Sequence, residues 1–423
     1  MNKWTKLDNA AIVFPSLAKA KNSTIYRVSA VLKETVLPVR LQQALDITVK
    51  RYPMMTMRIH KGLFWRYMEY DDEPLRVKRE DDYPCHPLQD RMTMEALLKV
   101  FYYQRRISVE VFHAITDGSG AMEFLKTLVY EYLRLLGKAV EPEDKIRTAS
   151  EDIHPEELED SFHRYYTPGR PPKIRNTKAY QITGTYFEPY GNNVTQGVVS
   201  ASALRQIAKK QGATLTEFLL ALLMFTIYRQ SSQDRKDQRP IKVSVPVNLR
   251  QMFPSKTLRN FFAVALFEIS SRQEQSLFKI LCAIKEQSVK NYSKKVLQEA
   301  IVRNINLEKI KIARFIPLPI KDIVVKNRYF LYNDKLRTCT MTNLGRIDLP
   351  KTMIPYVDRM EVVFYPTANN PLNCGLCTVN DNMTISFSRT IRENRIIGEY
   401  FRYLSQEYGL EVKIYSNEWG ISD

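Results

Sequence analysis

The sequence predicts an α/β fold, and three observations carry that prediction. Apolar residues switch repeatedly between a period of two and a period of 3.6, first over residues 38–137 and again over 200–409. A charged, proline-containing stretch separates these two series. At 423 residues the chain suits either two to three ordinary domains or two similar halves around a shared interface.

In chain order, PVRLQQALDITVKRYP (38–53) is periodic with proline at a first helical turn, and GLFWRYMEY (62–70) reads as extended. In ISVEVFH (107–113), Ile107, Val109, Val111 and His113 share the face expected to pack inward, with Ser108, Glu110 and Phe112 on the other. The turn DGSG follows. AMEFLKTLVYEYLRLLG (121–137) then carries a helical stripe of Phe124, Leu125, Leu128, Tyr132 and Leu135 or Leu136, stopped by Gly137. Between about 138 and 176, EPEDKIRTASEDIHPEELEDSFH and TPGRPPK offer too little apolar surface for a core element. This stretch reads as a crossing linker, which sets the expected halves at 1–170 and 171–423.

The second half repeats the alternation. SASALRQIAKKQG (200–212) is a helix with Gly212 past its end, and Thr214 to Glu217 has capping-box spacing. It opens the helix EFLLALLMFTIYRQ, apolar nearly all round and therefore expected to be buried. A polar turn, SQDRKDQRP (232–240), introduces the strand IKVSVPVNLR, with Ile241, Val243, Val245 and Val247 on one face; NFFAVALFEIS is a further strand. LCTV and MTISFSR flank an Asn380-Asp381-Asn382 turn as a hairpin, and ENRIIGEYFRYLSQEYG is a late helix ended by Gly409.

Composition narrows the class. Lys and Arg outnumber Asp and Glu by 63 to 46, a formal charge of +17. That excess suits an anionic surface or a phosphate-bearing ligand, but the basic residues are dispersed and no nucleic-acid module is recognisable, so nucleic acid is not expected as a partner. Five cysteines, Cys85, Cys282, Cys339, Cys374 and Cys377, are an odd count spread along the chain, which points to a reducing, cytoplasmic setting. Cys374-Gly-Leu-Cys377 lacks a second pair of ligands, with no histidine after His163, so no metal is expected. The longest apolar run, FLLALLMFTIY, is short of the ~18–20 residues that span a bilayer. A soluble monomer is the expectation.

One stretch carries chemistry. FHAITDGSG (112–120) ends an apolar strand with a histidine four residues before an aspartate. Burial there disfavours imidazolium, and a neutral ring near neutral pH is what a general base requires. A core histidine bonded to a backbone carbonyl is the competing reading. The chain has no GxxxxGK[ST], strand-linked GxGxxG, HExxH or GxSxG, which removes the usual nucleotide, zinc-protease and serine-hydrolase signatures.

HAITDG (113–118) resembles the HxxxDG signature of the coenzyme-A-dependent acyltransferase superfamily, which includes chloramphenicol acetyltransferase, condensation domains and alcohol acetyltransferases. SVPVNLRQMFPSKTLRNFF (244–262) is similar to its strand and loop bearing an arginine and then an asparagine-phenylalanine pair. MTNLGRID (341–348) is similar to its Ser/Thr-Asn-x-Gly segment. The resemblance covers nearly the whole chain and is most specific for the bacterial alcohol acetyltransferase branch. It departs in having one histidine where many condensation domains have two, and in lacking the DFGWG segment of the plant enzymes.

The resemblance implies a two-layer α/β sandwich made of two chloramphenicol-acetyltransferase-like halves, a pseudo-dimer with a tunnel between them. It implies acyl transfer from a coenzyme A or carrier-protein thioester to an alcohol or amine, with His113 as base and acyl-coenzyme A as cosubstrate. No permanently bound cofactor is needed. A catalytically silent protein that binds an acyl carrier or acyl ligand is the alternative. It implies too that Asp117 turns away from the histidine and meets Arg250; a triad role or a cap on the following helix are the other readings of Asp117. Thr342, Asn343 and the Gly118 backbone are candidates for oxyanion or substrate binding, a plain turn before Gly345 being the other reading of the first two.

Overall fold

The computed structural model describes residues 4–18, 22–88, 95–172, 177–188, 191–231, 237–309, 315–328, 334–367 and 369–417. The first part runs β1 (Trp4–Lys6), α1 (Phe14–Leu17), β2 (Ile25–Leu32), α2 (Pro38–Arg51), β3 (Met57–Lys61), β4 (Arg66–Tyr70), β5 (Val77–Arg79), β6 (Leu98–Tyr103), β7 (Arg106–Phe112), α3 (Gly118–Leu135) and α4 (Ser161–Arg164). The second runs β8 (Asn193–Ser200), α5 (Ala201–Lys210), α6 (Leu215–Ser231), β9 (Ile241–Asn248), β10 (Phe262–Ile269), α7 (Leu277–Asn291), α8 (Lys294–Glu308), α9 (Leu318–Arg328), β11 (Cys339–Arg346), β12 (Val357–Phe364), β13 (Leu372–Val379), β14 (Asn382–Arg389), α10 (Arg395–Gln406) and β15 (Lys413–Ser416). The mixed α/β class is the expected one.

Two sheets organise these elements. The first has the order β12-β2-β7-β6-β5 and the second β10-β9-β11-β13-β14-β8-β15, while β1-β4-β3 form a small third sheet. Strand β12, from late in the chain, pairs antiparallel with β2 from Val357↔Leu32 to Phe364↔Tyr26, so the early sheet is completed by a late strand. Helices α2 and α3 cover the first sheet; α6, apolar on all sides, is buried under the second, with Phe218 to Met224 all but sealed from solvent. Its start is the expected capping box: Thr214 N donates to Glu217 Oε2 at 2.8 Å and Glu217 N to Thr214 Oγ1 at 3.2 Å. Among the described residues no single helix is long and apolar enough to cross a membrane; only α5 and α6 together, bent by 82°, reach that length and composition.

The two sheets pack on each other through β13. Cys374 faces the core of the second sheet and Cys377 that of the first, because residues three apart on a strand point to opposite sides. One metal ion could not take both thiols. Gly375, between them, is needed for closeness: a Cβ there would stand 2.4 Å from Val362 O on β12.

Three expectations change in detail. The outer face of β7 is covered too: Ser108, Glu110 and Phe112 are buried, and the polar groups on that face are satisfied internally, Glu110 by Arg27 Nε at 2.9 Å and by Cys85 N at 2.5 Å. The 138–172 stretch is an ordered strap rather than a bare linker. Phe162 is buried in a small third core with Phe261, and Glu157 takes a bidentate pair from Arg51, both bonds at 2.8 Å, plus Arg147 Nη1 at 2.6 Å. Its charges pair internally, which the composition conceals. The hairpin turn is two residues long, Asn380 and Asp381, with Asn380 at φ 54° and Asn382 already in β14. Most of the polar turn expected at 232–240 lies outside the described residues, as does 173–176 of the linker.

Candidate active site

The turn from β7 into α3 is fixed at several points. His113 N donates to Thr24 O at 3.1 Å, and Asp117 Oδ1 accepts from Ser119 N at 3.1 Å and Gly120 N at 3.2 Å, satisfying donors that a helix start leaves free. The other oxygen, Asp117 Oδ2, accepts from Arg250 Nη1 at 2.7 Å and Phe261 N at 2.9 Å. Cap and ion pair are therefore one arrangement. Among the described residues Asp117 makes no hydrogen bond to the imidazole.

Arg250 also donates to Thr257 O at 3.0 Å, Arg259 O at 2.5 Å and Asn248 Oδ1 at 3.3 Å, so its guanidinium holds the loop between β9 and β10 against the motif turn. Gly120 permits this approach. A Cβ there would lie 2.1 Å from Thr116 Oγ1 and 2.5 Å from Leu258 O. A Cβ on Gly118 would meet Leu344 Cδ2 at 2.8 Å, which puts β11 beside the same turn.

His113 sits just past the end of β7, half-buried in an aromatic frame. Phe14 stacks on it with ring centres 4.4 Å apart, and Tyr26 and Phe262 lean on it at 4.9 and 5.4 Å. Tyr26 is held by donating to Thr116 O at 2.9 Å. Burial holds the imidazole below its usual pKa, with smaller opposing contributions from its own backbone, the Asp117 charge and Asn260.

The ring's tautomer follows from its neighbours. Asn260 Nδ2 donates to Asp8 Oδ2 at 3.1 Å, which turns Asn260 Oδ1 toward His113 Nδ1 at 3.0 Å. A carbonyl oxygen only accepts, so Nδ1 carries the proton and the lone pair is left on Nε2. Among the described residues Nε2 makes no hydrogen bond. Asp8 is fully buried; it also accepts from Ala11 N at 2.7 Å and Asn260 N at 3.3 Å and lies 3.6 Å from Arg259 Nε. Burial pushes its carboxyl up to about 6, the Arg259 charge opposing and Asp160 reinforcing the rise.

Neither Asp8 nor Phe14 carries a motif that a sequence reading could use; Asn260 does, as the asparagine of the asparagine-phenylalanine pair. The strand β11 candidates separate. Asn343 is committed internally: Nδ2 donates to Thr216 Oγ1 at 2.9 Å and Oδ1 accepts from Gly345 N at 2.8 Å, fixing the turn where Gly345 takes φ 73°. Thr342 is half-buried and its hydroxyl makes no hydrogen bond among the described residues. Gly118 N, at the first position of α3, lies at the positive end of the helix.

No family model matches the chain, and no curated protein matches it. Solved structures do. It is similar to polyketide synthase associated protein 5 from Mycobacterium tuberculosis, at TM-score 0.62 and 14% identity over 96% of this chain and 98% of that one. It is similar to the trichothecene 15-O-acetyltransferase from Fusarium sporotrichioides, at TM-score 0.60 and 11% identity over 95% of each. The starter condensation domain of rhizomide synthetase, in complex with C8-CoA, matches at TM-score 0.59 and 11% identity over 97% of this chain and 96% of that one. At such identities the likeness is one of fold, and the fold is the two-lobed one of condensation domains and related acyltransferases.

Proposed function

We propose that this chain, sharing the fold of acetyltransferase and condensation-domain structures, moves an acyl group from a pantetheine thioester to a hydroxyl or amine, with His113 as general base. The observation that supports this best is the neutral, Nδ1-protonated imidazole whose Nε2 is uncommitted. In the reaction Nε2 takes the acceptor's proton as its oxygen or nitrogen attacks the thioester carbonyl. The tetrahedral intermediate then collapses, the C–S bond breaks, and the proton passes from the imidazolium to the departing thiolate, giving free thiol. Phe14, stacked on the imidazole, covers one face of the ring.

The oxyanion needs donors in place before the charge forms. Gly118 N at the start of α3 and the Thr342 hydroxyl are the groups we assign to it; Asn343 we assign to holding the Gly345 turn. Asp117 and Arg250 keep the motif turn in register. Coenzyme A is the favoured donor, because a charge of +17 suits a ligand bearing phosphates, and a passage between the lobes would admit donor and acceptor from opposite sides.

The test is thiol release across a panel of acyl-coenzyme A donors with alcohol and amine acceptors. His113→Ala should lower turnover by ~10²–10⁴-fold with an unchanged melting curve. Equal turnover in variant and parent overturns the assignment of the base. No thiol release with any donor would favour a silent acyl-binding protein instead.

A further inference from the structure

Three segments distant in sequence meet on one side of the molecule: the β3–β4 hairpin, α9 with the residues leading into it, and α1. Leu318 N donates to Leu63 O at 2.9 Å and Lys321 Nζ to Phe64 O at 2.6 Å. Asp322 accepts from Arg66 Nη2 at 2.6 Å and Ser16 Oγ at 2.7 Å. What the assembled segments turn outward is apolar. Leu63 is 69% exposed, Trp65 62%, Phe315 79%, Ile320 52%, Ile323 59% and Val324 57%.

Scattered apolar side chains on a surface are ordinary, but six exposed ones on segments that hydrogen-bond to one another mark a binding face. Its chemistry selects the occupant. Lys6 and Lys61 are exposed beside it and Lys326 is half-buried on α9. The one acid of α9, Asp322, is neutralised by Arg66, and on the hairpin Glu69 faces His60 at 3.6 Å. The face is thus apolar with a basic margin and few free hydrogen-bonding groups, whereas a protein partner would require roughly one hydrogen bond per 100–200 Å².

We infer that this face seats the protein on an anionic lipid surface, the aromatic and aliphatic side chains entering the headgroup boundary and the lysines meeting lipid phosphates. Tryptophan with flanking lysine suits that boundary, and binding there grows with apolar burial and with attraction to anionic lipid. The face is also coupled to the candidate site: α1 gives Ser16 to Asp322 and, two residues earlier, Phe14 to the imidazole. The inference stands on this surface alone and does not depend on acyl transfer.

Vesicle flotation tests it with the full chain. At low salt the protein should rise with phosphatidylcholine vesicles containing phosphatidylglycerol, far less with phosphatidylcholine alone, and less as salt increases. Trp65 emission should shift to the blue on binding. Trp65→Glu combined with Ile323→Glu should reduce the floated fraction by roughly tenfold or more, since it removes apolar burial and adds repulsion, while circular dichroism and the melting curve stay as in the parent; Trp65→Phe with Ile323→Leu should retain flotation. Three results overturn the inference: parent protein that stays below with every vesicle at low salt, flotation unaffected by the double glutamate variant, or a parent dimer that ignores vesicles and dissociates in that variant.

Discussion

Asn260 orients His113 by accepting from Nδ1, so its removal should free the ring to adopt the other tautomer. Asn260→Ala is expected to lower turnover by roughly 10–100-fold, the loss seen when the partner that orients a metal-bound histidine is removed, and ¹⁵N shifts of the His113 ring should show both tautomers. Asn260→Asp sets a carboxylate on the imidazole; that favours imidazolium, so the acid limb of the rate profile should move to higher pH. In the parent, burial depresses the histidine pKa, so kcat/KM should fall only as pH drops through a value below the usual 6.5. A limb above 6.5 would refute a desolvated base. Asp8 has the opposite linkage. Its folded pKa is raised from 3.8 to about 6, so the stability it contributes is fully present below 3.8 and is lost as pH rises through about 6. At this scale the sequence displayed the histidine, aspartate, arginine and asparagine because each stands in a recognisable string. Asp8 acts through Asn260, 252 residues away, and Phe14 through a ring contact across 99 residues, which no local pattern encodes.

The elements around the motif were legible for a related reason: a period of 3.6 over α3, a capping box before the long apolar run of α6, proline at the start of α2 and glycine beyond α3 and α5 are local properties. The strap over 138–172 was not, because its few apolar residues, such as Phe162, are buried against distant segments and its charges pair with Arg51 and its backbone with the loop after β9. Two outcomes should follow. Asp117 and Arg250 form a largely buried pair at 2.7 Å, and removing one partner strands the other, at a cost of ~3–5 kcal/mol. Asp117→Ala and Arg250→Ala should each lower both the melting temperature and activity, whereas unchanged melting would mean the pair is dispensable to the fold. Gly120→Ala should destabilise as well, because its methyl would collide with the backbone at Leu258 O.

For the molecule as a whole, the decisive feature is that β12 belongs to the first sheet although it lies between β11 and β13 in the chain. A fragment ending at residue 170 would expose the β2 edge from Tyr26 to Leu32, which β12 normally covers. Such a fragment is expected to aggregate when expressed alone, and a soluble, cooperatively melting fragment would contradict this. The pairing was invisible in sequence because VDRMEVVF lies within the stretch assigned to the second half and nothing in it names β2 as its partner. It also sets a clock on synthesis. Strand β12 leaves the ribosome about 250 residues after β7, which at about 5–20 residues per second is a delay of roughly 10–50 s. Throughout that interval the nascent chain carries an open, apolar strand edge that its own sequence cannot yet close, so codon pace and chaperone occupancy between residues 112 and 364 should govern the yield of folded protein.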